Sequence, residues 1–394
     1  MESYLLDWAN LLLRWLHVIV AIAWIGASFY FVWLDNHLLK PETPDLKAKG
    51  VDGELWAVHG GGFYNPQKYM VAPANLPQHL HWFYWESYWT WISGVALFVL
   101  LYLVNADSFL IDRRVHDWGS TPAAVGAALG FLAAGWLAYD QICRRFGHTK
   151  DGSIGNDGLV LGLIAVFIGF AAWAAAQLFA GRAAFLITGA MIATMMSANV
   201  LFWIIPGQRQ VIADMRAGRA VDPIHGQRGK QRSVHNTYFT LPVLIAMLSN
   251  HYGMLYSHPH NWAVLLLLML TGALVRTFFV KRHKGVNAWP LVAIVLALLA
   301  VLIVWLAPAP GPKLAAAPTL AQVQAVVEQR CVMCHNAQLA QKGVQLHTPA
   351  LIEQNAQALY QQAVLQKTMP LNNATGISEE ERALLGRWFE ARRR

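Results

Sequence analysis

The stretch Cys331-Val332-Met333-Cys334-His335 lies near the end of the chain and has the form C-x-x-C-H. This is the attachment motif of a c-type haem, in which both thiols bond to the macrocycle and the histidine ligates iron. A zinc site would need further Cys or His at metal spacing, and the tail offers only His347. The motif therefore predicts a haem c attached to Cys331 and Cys334, with His335 as an axial ligand.

The sequence that follows the motif has the features of a small cytochrome c. Met369 lies 34 residues after His335, where such a domain would supply its second axial ligand. An amphipathic helix is predicted from about Ser378 to Arg392. Because c-type haem is attached outside the cytoplasm, we expect residues 319–394 to form a periplasmic, α-helical domain that resembles a class I cytochrome c.

The composition of the chain excludes a soluble protein. Of the 394 residues, 56% are hydrophobic and only 13% are charged, which is far from the average of globular domains. The hydrophobic residues come in blocks long enough to cross ~30 Å of hydrocarbon. The net charge of +8 does not indicate nucleic acid, because the positive charges lie in short loops between these blocks. The bilayer is therefore the expected environment.

Eight membrane-spanning helices are predicted before the haem motif, so that the whole chain is expected to be all-α. They make residues 1–307 a membrane domain, which a linker rich in Pro and Ala, residues 308–318, joins to the 319–394 domain. The predicted spans are 11–34, 80–104, 121–139, 158–180, 184–205, 238–257, 261–280 and 288–307.

Loop charges predict the orientation of these spans. Sixteen Lys and Arg residues lie in the odd-numbered connections, whereas the even-numbered ones hold only Arg113, Arg114 and Arg182. The odd connections are therefore expected in the cytoplasm. Both termini then lie in the periplasm of a bacterial inner membrane, which is the side that haem attachment requires independently.

Ionisable side chains within the spans fall into two groups by depth, and the outer group suggests a second cofactor. His17 in the first span and His251 in the sixth are expected at similar depth in the outer half. Two facing histidines could hold a b-type haem, with Arg14 near a propionate. The alternative is that each histidine only bonds to a neighbouring helix.

The inner group is richer in polar and aromatic side chains. His79, Trp82, Glu86 and Trp89 have the spacing of one helix face. The group offers bases, cations, amides and flat rings, which suit a planar anionic heterocycle; interfacial belt residues are the alternative reading. The candidate catalytic residues are Glu86, His59, His79, His81 and His235. The candidate substrate-binding residues are Lys68, Trp82, Trp89, Asn236 and Arg276.

Several motifs of the membrane part occur together in one known family. They are Arg14-Trp15-Leu16-His17, Ala23-Trp24-Ile25-Gly26, Trp56-Ala57-Val58-His59-Gly60-Gly61-Gly62-Phe63-Tyr64, His79-Leu80-His81-Trp82-Phe83, Glu86-Ser87-Tyr88-Trp89-Thr90-Trp91, His235-Asn236-Thr237-Tyr238-Phe239 and Ser249-Asn250-His251-Tyr252. With these motifs and the haem motif, the chain resembles the bacterial membrane-bound urate oxidases, in which eight spans are fused to a cytochrome c.

The resemblance implies oxidation of urate to 5-hydroxyisourate in purine degradation. Electrons would pass to the fused haem and on to a respiratory cytochrome c or terminal oxidase, without formation of hydrogen peroxide. The residues themselves leave a competing reading open, that of an electron-transfer subunit which takes electrons from quinol or a partner dehydrogenase. A transporter of copper or haem is a third reading, but it leaves the cytochrome domain without a purpose.

Overall fold

The computed structural model describes residues 2–69, 73, 76–307 and 317–392. The predicted linker falls mainly on residues 308–316, which lie outside the described residues. Up to residue 307 the helices are α1 (Glu2–His37), α2 (Pro44–Ala48), α3 (Trp85–Phe98), α4 (Ala106–Phe109), α5 (Thr121–Phe146), α6 (Asp157–Leu178), α7 (Gly181–Asn199), α8 (Ile205–Arg216), α9 (Pro223–Leu248), α10 (Gly253–Tyr256), α11 (Asn261–His283) and α12 (Trp289–Trp305).

Four short strands lie between α2 and α3, so the expectation of an all-α chain is wrong for this connection. They are β1 (Gly53–Glu54), β2 (Ala57–His59), β3 (Gly62–Tyr64) and β4 (Gln67–Lys68). β1 pairs with β4, and β2 pairs with β3, both antiparallel. Gly60 and Gly61 form the turn of the inner hairpin with φ of 58° and 80°, a conformation that glycine adopts without strain.

Six helical segments of the described chain are long and apolar enough to cross a membrane. They are Tyr4–His37, Trp85–Leu103, Thr121–Phe146, Asp157–Leu178, Gly181–Arg216 and Asn261–His283. α12 is apolar but has only 17 residues. The predicted sixth span, 238–257, covers the second half of α9, which begins in polar sequence at Pro223 and ends at Leu248, and then α10. Neither this segment nor α12 is among the six. The chain is thus mostly helical and compatible with a membrane protein.

The centre of the bundle consists of α5, α6, α7, α9 and α11, whose buried residues form one hydrophobic core. Small residues let these helices approach closely. A Cβ added to Gly189 would lie 2.7 Å from the Cβ of Ala246, so α7 and α9 pack almost backbone to backbone. α1 lies at the edge, where it packs chiefly on α3, and the most apolar part of this helix is entirely outside the buried core.

Residues 317–392 form a separate helical unit, which we call the C-terminal unit. Its helices are α13 (Leu320–Arg330), α14 (Pro349–Gln354), α15 (Ala356–Leu359) and α16 (Glu379–Ala391). Thr319 and Ser378 each begin a helix with a capping box. Arg330 joins α13 to α16 through Glu381, at 3.0 Å. The amphipathic helix predicted from about Ser378 to Arg392 is confirmed.

The C-terminal unit contacts one end of the bundle, which we call the upper end. The Nδ2 atom of Asn372 donates to the carbonyl of Ser108, and Arg114 donates to the carbonyl of Asn372 at 3.1 Å. Lys342 forms an ion pair with Asp7 at 2.9 Å. The last residues of α1 and α11 lie at the opposite, lower end, where His37 contacts His283.

Candidate functional site

A small cavity lies between α1, α7 and α9 in the middle of the bundle, and we call it the central cavity. It measures about 20 Å³, which is room for one water molecule. Its walls combine apolar side chains with an amide and two hydroxyls. The lining residues are Trp24, Ile25, Ser28, Met196, Asn236 and Thr240.

Arg276 of α11 is a buried cation that packs on α1 and is not among the residues that line this cavity. The residue is only 4% exposed, and its guanidinium lies 3.9 Å from the ring centre of Phe29, the neighbour of cavity residue Ser28. Nε and Nη2 are both enclosed, and no described residue accepts a hydrogen bond from them. Because an unpaired buried charge is strongly unfavourable, this guanidinium provides a site for an anion.

Glu86 in the first turn of α3 is a second polar side chain without a partner. Its Oε2 atom is enclosed, and no described residue donates a hydrogen bond to it. The next residue, Ser87, contacts Ser197 of α7 through their hydroxyls at 3.1 Å, and Ser197 follows Met196 of the cavity wall. Glu86 and Arg276 form no ion pair with each other. Glu86 and Arg276 thus each have enclosed polar atoms that the described residues leave without a partner, and neither residue lines the cavity.

Asn236 contributes a fixed amide to the cavity wall. Its Oδ1 accepts from Nδ2 of Asn199 at 2.9 Å, and its Nδ2 donates to the carbonyl of Met196 at 3.0 Å. The amide therefore has one orientation, because an oxygen must face the donor and a nitrogen the carbonyl. Asn236 is therefore a buried polar contact between α7 and α9.

Asn199 belongs to a larger buried network that joins α5, α7 and α9, which we call the Arg232 network. Arg232, 3% exposed, forms an ion pair with Asp140 at 2.7 Å and donates to Oδ1 of Asn199 at 3.4 Å. Asp140 also accepts from Nε1 of Trp203 and from Arg144, each at 2.7 Å. This pair is not evident from the sequence, because Arg232 lies among the positive charges of a predicted connection between spans.

His235 belongs to the same network and does not line the central cavity. The hydroxyl of Tyr139 accepts from Asn199 at 2.9 Å and donates to Nδ1 of His235 at 2.8 Å. The Sγ of Cys143 lies 3.9 Å from the same nitrogen, and this free thiol is buried. His235 therefore packs against α5. A catalytic role would instead require its ring to reach the substrate.

Other predicted residues of the inner group lie apart from the cavity. α3 begins only at Trp85, so His79 and Trp82 precede it and the predicted common helix face is wrong. Trp82 lies beneath the guanidinium of Arg209 at 6.0 Å. Lys68 is paired with Asp35 at 2.7 Å. The side chains of the remaining candidates are exposed: His59 in the β2–β3 hairpin, His79, His81 and Trp89.

His17 has one ring nitrogen that could ligate a metal, and among the described residues no second histidine lies opposite it. Its Nδ1 lies 3.0 Å from the hydroxyl of Ser93, which itself donates to the carbonyl of Trp89 at 2.6 Å. Nδ1 is therefore the donor, which leaves the lone pair on Nε2. His251 is exposed in a short 3₁₀ turn and has no contact with His17. His17 could therefore serve as one axial ligand of a haem b, but His17 and His251 do not form a pair of facing ligands in this structure.

The residues of the C-x-x-C-H motif fit a c-type haem. Cys331 and Cys334 are free thiols, and burial raises the pKa of the Cys331 thiol to about 11. Nδ1 of His335 lies 3.1 Å from the carbonyl of Val344, so this nitrogen donates and Nε2 is free to bind iron.

Met369 is held in a loop by its main chain. Its backbone N–H donates to the carbonyl of Gln362 at 3.0 Å, and its own carbonyl accepts from Arg382 at 2.8 Å. Among the described residues, no three His, Cys, Asp or Glu side chains gather as ligands for a further metal ion.

Comparison with known proteins gives one match. No curated protein and no solved structure matches this chain. The model of one protein family, described as urate oxidase N-terminal, matches residues 3–307. These residues comprise the bundle, with the central cavity and the side chains of Glu86 and Arg276. Because the match covers well over half of the sequence, the chain belongs to the urate oxidase N-terminal family.

Proposed function

We propose that the bundle oxidises urate to 5-hydroxyisourate and that the electrons pass to a haem c held by the C-terminal unit. One observation carries the proposal, the buried guanidinium of Arg276 with two enclosed N–H groups and no described partner. Urate is a planar monoanion at neutral pH, and it would supply the charge and the acceptors that this site lacks. The family of the chain supports urate over other anions of this shape.

Three polar groups of the bundle, of which Asn236 lines the central cavity, suit different parts of the substrate. Arg276 would bind the anionic edge of urate, and the amide of Asn236 would orient the ring through hydrogen bonds. Glu86, whose Oε2 has no described donor, would accept a proton from the ring as a general base. Urate and water give 5-hydroxyisourate, two protons and two electrons. The added oxygen comes from water, so the reaction needs no reduction of oxygen to peroxide.

Substrate binding requires the cavity to widen, because about 20 Å³ holds only one water. α1 is the helix that can move, since its most apolar part has no residue in the buried core. Trp24, Ile25 and Ser28 of α1 form one wall of the cavity. An outward shift of this helix would therefore enlarge the site without disturbing the core of α5, α7 and α9.

The C-terminal unit would receive the electrons. A haem c supplies an iron that accepts one electron at a time, so each urate requires two successive transfers. Cys331 and Cys334 would anchor the group, and His335 and Met369 would ligate the iron. A respiratory cytochrome c or terminal oxidase would then reoxidise it. We also retain His17 as a proposed ligand of a haem b, with His251 as the second candidate ligand.

The same proposal gives the chain an orientation in the bacterial inner membrane. Loop charges favour a cytoplasmic lower end, and the attachment of haem c requires a periplasmic C-terminal unit. The contacts of this unit with Ser108 and Asp7 at the upper end are compatible with both arguments. Urate would then enter from the cytoplasm, and electrons would leave on the periplasmic side.

An anaerobic absorption spectrum of the purified, oxidised protein tests the proposal. Urate should produce the bands of reduced haem c, whereas xanthine and allantoin should not. Cys331→Ala is the control, because it removes one of the two covalent anchors of the haem. A b-type band that develops alongside would support the second haem. Reduction by a quinol analogue without any response to urate would refute the proposal and favour an electron-transfer subunit.

A further inference from the structure

A second and larger cavity opens at the lower end of the bundle, and we call it the entry cavity. It measures about 380 Å³ and lies between the end of α1 and the turn from α11 to α12. Unlike the central cavity, it has room for a bicyclic heterocycle. The side chains that define its chemistry are His37, Phe278, Arg282, His283, Asn287 and Trp289.

The two histidines of the entry cavity have ring nitrogens without partners. Nδ1 of His37 lies 2.7 Å from the carbonyl of Trp33, so it donates there and Nε2 carries a lone pair. Nδ1 of His283 is enclosed, and no described residue bonds to it. The two ring centres are 5.3 Å apart. A ligand that offers ring N–H groups would satisfy His37 Nε2, because this atom can only accept.

Positive charge and flat rings complete the cavity. The guanidinium of Arg282 lies 6.0 Å from the ring centre of Trp289, and Lys281 and Lys284 flank it in sequence. These groups favour an anion, and Phe278 and Trp289 favour a planar one. The phosphate of a lipid would satisfy Arg282, and the ammonium or hydroxyl of a headgroup could donate to His37. The flat rings of Phe278 and Trp289 favour an oxopurine anion over a lipid.

The entry cavity is continuous in the fold with the buried arginine. His283 lies seven residues after Arg276, which places both on one face of α11. On α1, Phe29 contacts Arg276 and His37 contacts His283. The seam between α1 and α11 thus has the unpaired guanidinium at its buried end and the two histidines at its open end. An anion held at the histidines is attracted along this seam.

We propose that the entry cavity is a second, shallower binding site for the substrate anion, which is captured there before it reaches Arg276. This inference rests on the proposed function, because it takes urate as the substrate. It assigns His37 and His283 to capture, so that their loss weakens binding and leaves the chemical step unchanged. Loss of Arg276 would affect the deep site and leave the shallow one.

The test compares kinetics and binding in nanodiscs. The double variant His37→Ala/His283→Ala should raise KM for urate about ten-fold with kcat unchanged, since hydrogen bonds between the ligand and the imidazoles are lost. His260→Ala is the matched control, because the His260 ring stacks on Trp305 at the other end of α12, and it should leave both constants unchanged. Arg276→Gln should still bind radiolabelled urate weakly, and adding the double substitution should abolish that binding.

Three results would overturn the inference. They are an unchanged KM, a fall in kcat without a change in KM, and a KM effect that disappears when anionic lipid is omitted from the nanodiscs. If the double variant does not fold, Arg282→Gln replaces it, with the same rise in KM expected. A wild-type protein that neither binds nor oxidises urate would instead refute the proposed function, so the two failures are distinguishable.

Discussion

Two arginines are buried among the described helices of the bundle, and their surroundings differ completely. Arg232 of α9 is paired with Asp140 at 2.7 Å and contacts Asn199. Arg276 of α11 has an aromatic ring on one face and no described acceptor for two of its nitrogens. Both residues are less than 5% exposed. The same side chain is therefore satisfied by the fold in one region and left unsatisfied in the other.

This difference distinguishes buried polar side chains that stabilise the fold from those that bind a ligand. A buried ion pair with every group bonded fixes the helices that carry it, and its loss acts on stability. A buried charge without a partner lowers the stability of the ligand-free protein. Such a charge is typical of a binding site, where the ligand supplies the opposite charge. We therefore expect substitutions in the Arg232 network to change folding, and substitutions of Glu86 and Arg276 to change turnover.

The largest effect is expected from Asp140→Ala. It leaves Arg232 buried without a counter-charge and removes the acceptor of Trp203, so stability should fall by roughly 3–5 kcal/mol. The measurement is the yield and thermal unfolding of the purified protein, followed by haem c absorbance. Arg144→Ala is the control. The Arg144 side chain pairs with the same carboxylate but is 55% exposed, so its loss should lower the free energy of unfolding by less than about 1 kcal/mol. Equal stability of Asp140→Ala and wild type would contradict the structural role of the network.

Glu86→Gln should have the largest effect on turnover. It keeps the shape of the side chain but removes its capacity to accept a proton, so kcat should fall by roughly 10²- to 10⁴-fold. Thermal stability should not decrease, because Oε2 has no described donor to lose. Anaerobic reduction of haem c by urate measures the rate. A wild-type rate in a folded variant would exclude Glu86 as the base.

Arg276→Gln sharpens the comparison with Arg232 directly. Loss of hydrogen bonds to a charged substrate should lower kcat/KM for urate by about 100-fold. The melting temperature should stay the same or rise, since no ion pair is broken. Arg276→Lys should retain part of the activity through its charge. A clear loss of stability would mean that Arg276 has a structural role like that of Arg232.

Tyr139→Phe should have the smallest effect of the series. The substitution removes the hydroxyl between Asn199 and His235 and leaves Nδ1 of His235 without a donor, at a cost of about 1 kcal/mol. Turnover should remain within a factor of about three, because neither side chain lines the central cavity. Thermal unfolding and steady-state kinetics of one preparation give both numbers. A large loss of turnover with normal stability would return His235 to the catalytic site.

Much of the helical layout could be predicted from the sequence, because apolar blocks and caps are local signals. A helix covers most of each predicted span among the described residues, and α16 follows the predicted tail helix. The start of α9 was also readable, since Asp222 caps the helix with its side chain and Pro223 follows at the first helical position. The predicted span begins only at residue 238, because the first half of α9 is polar and hydrophobicity does not indicate it.

The contacts between distant residues could not be predicted. Asp140 and Arg232 are 92 positions apart, and only the packing of α5 on α9 brings them together. The residues just before α3 likewise have a distant contact, since Arg209 of α8 lies over the rings of Trp82 and Tyr84. Of the predicted inner group, Asn236 lines the central cavity, whereas Glu86 and Arg276 have enclosed atoms without a described partner. They could be selected only after the structure showed which polar groups already had partners.

The shortness of α12 has a consequence for the membrane itself. Seventeen residues span about 25 Å at 1.5 Å per residue, which is less than the ~30 Å of an average hydrocarbon layer. Trp289 and Trp305 mark the two ends of the helix, where indole rings favour the lipid–water interface. In the proposed arrangement, in which α12 is the eighth span, the bilayer should therefore thin by a few ångströms around this helix. Because Trp289 also forms a wall of the entry cavity, this thinning would bring the mouth of the cavity closer to water, and thicker bilayers should slow the capture of substrate.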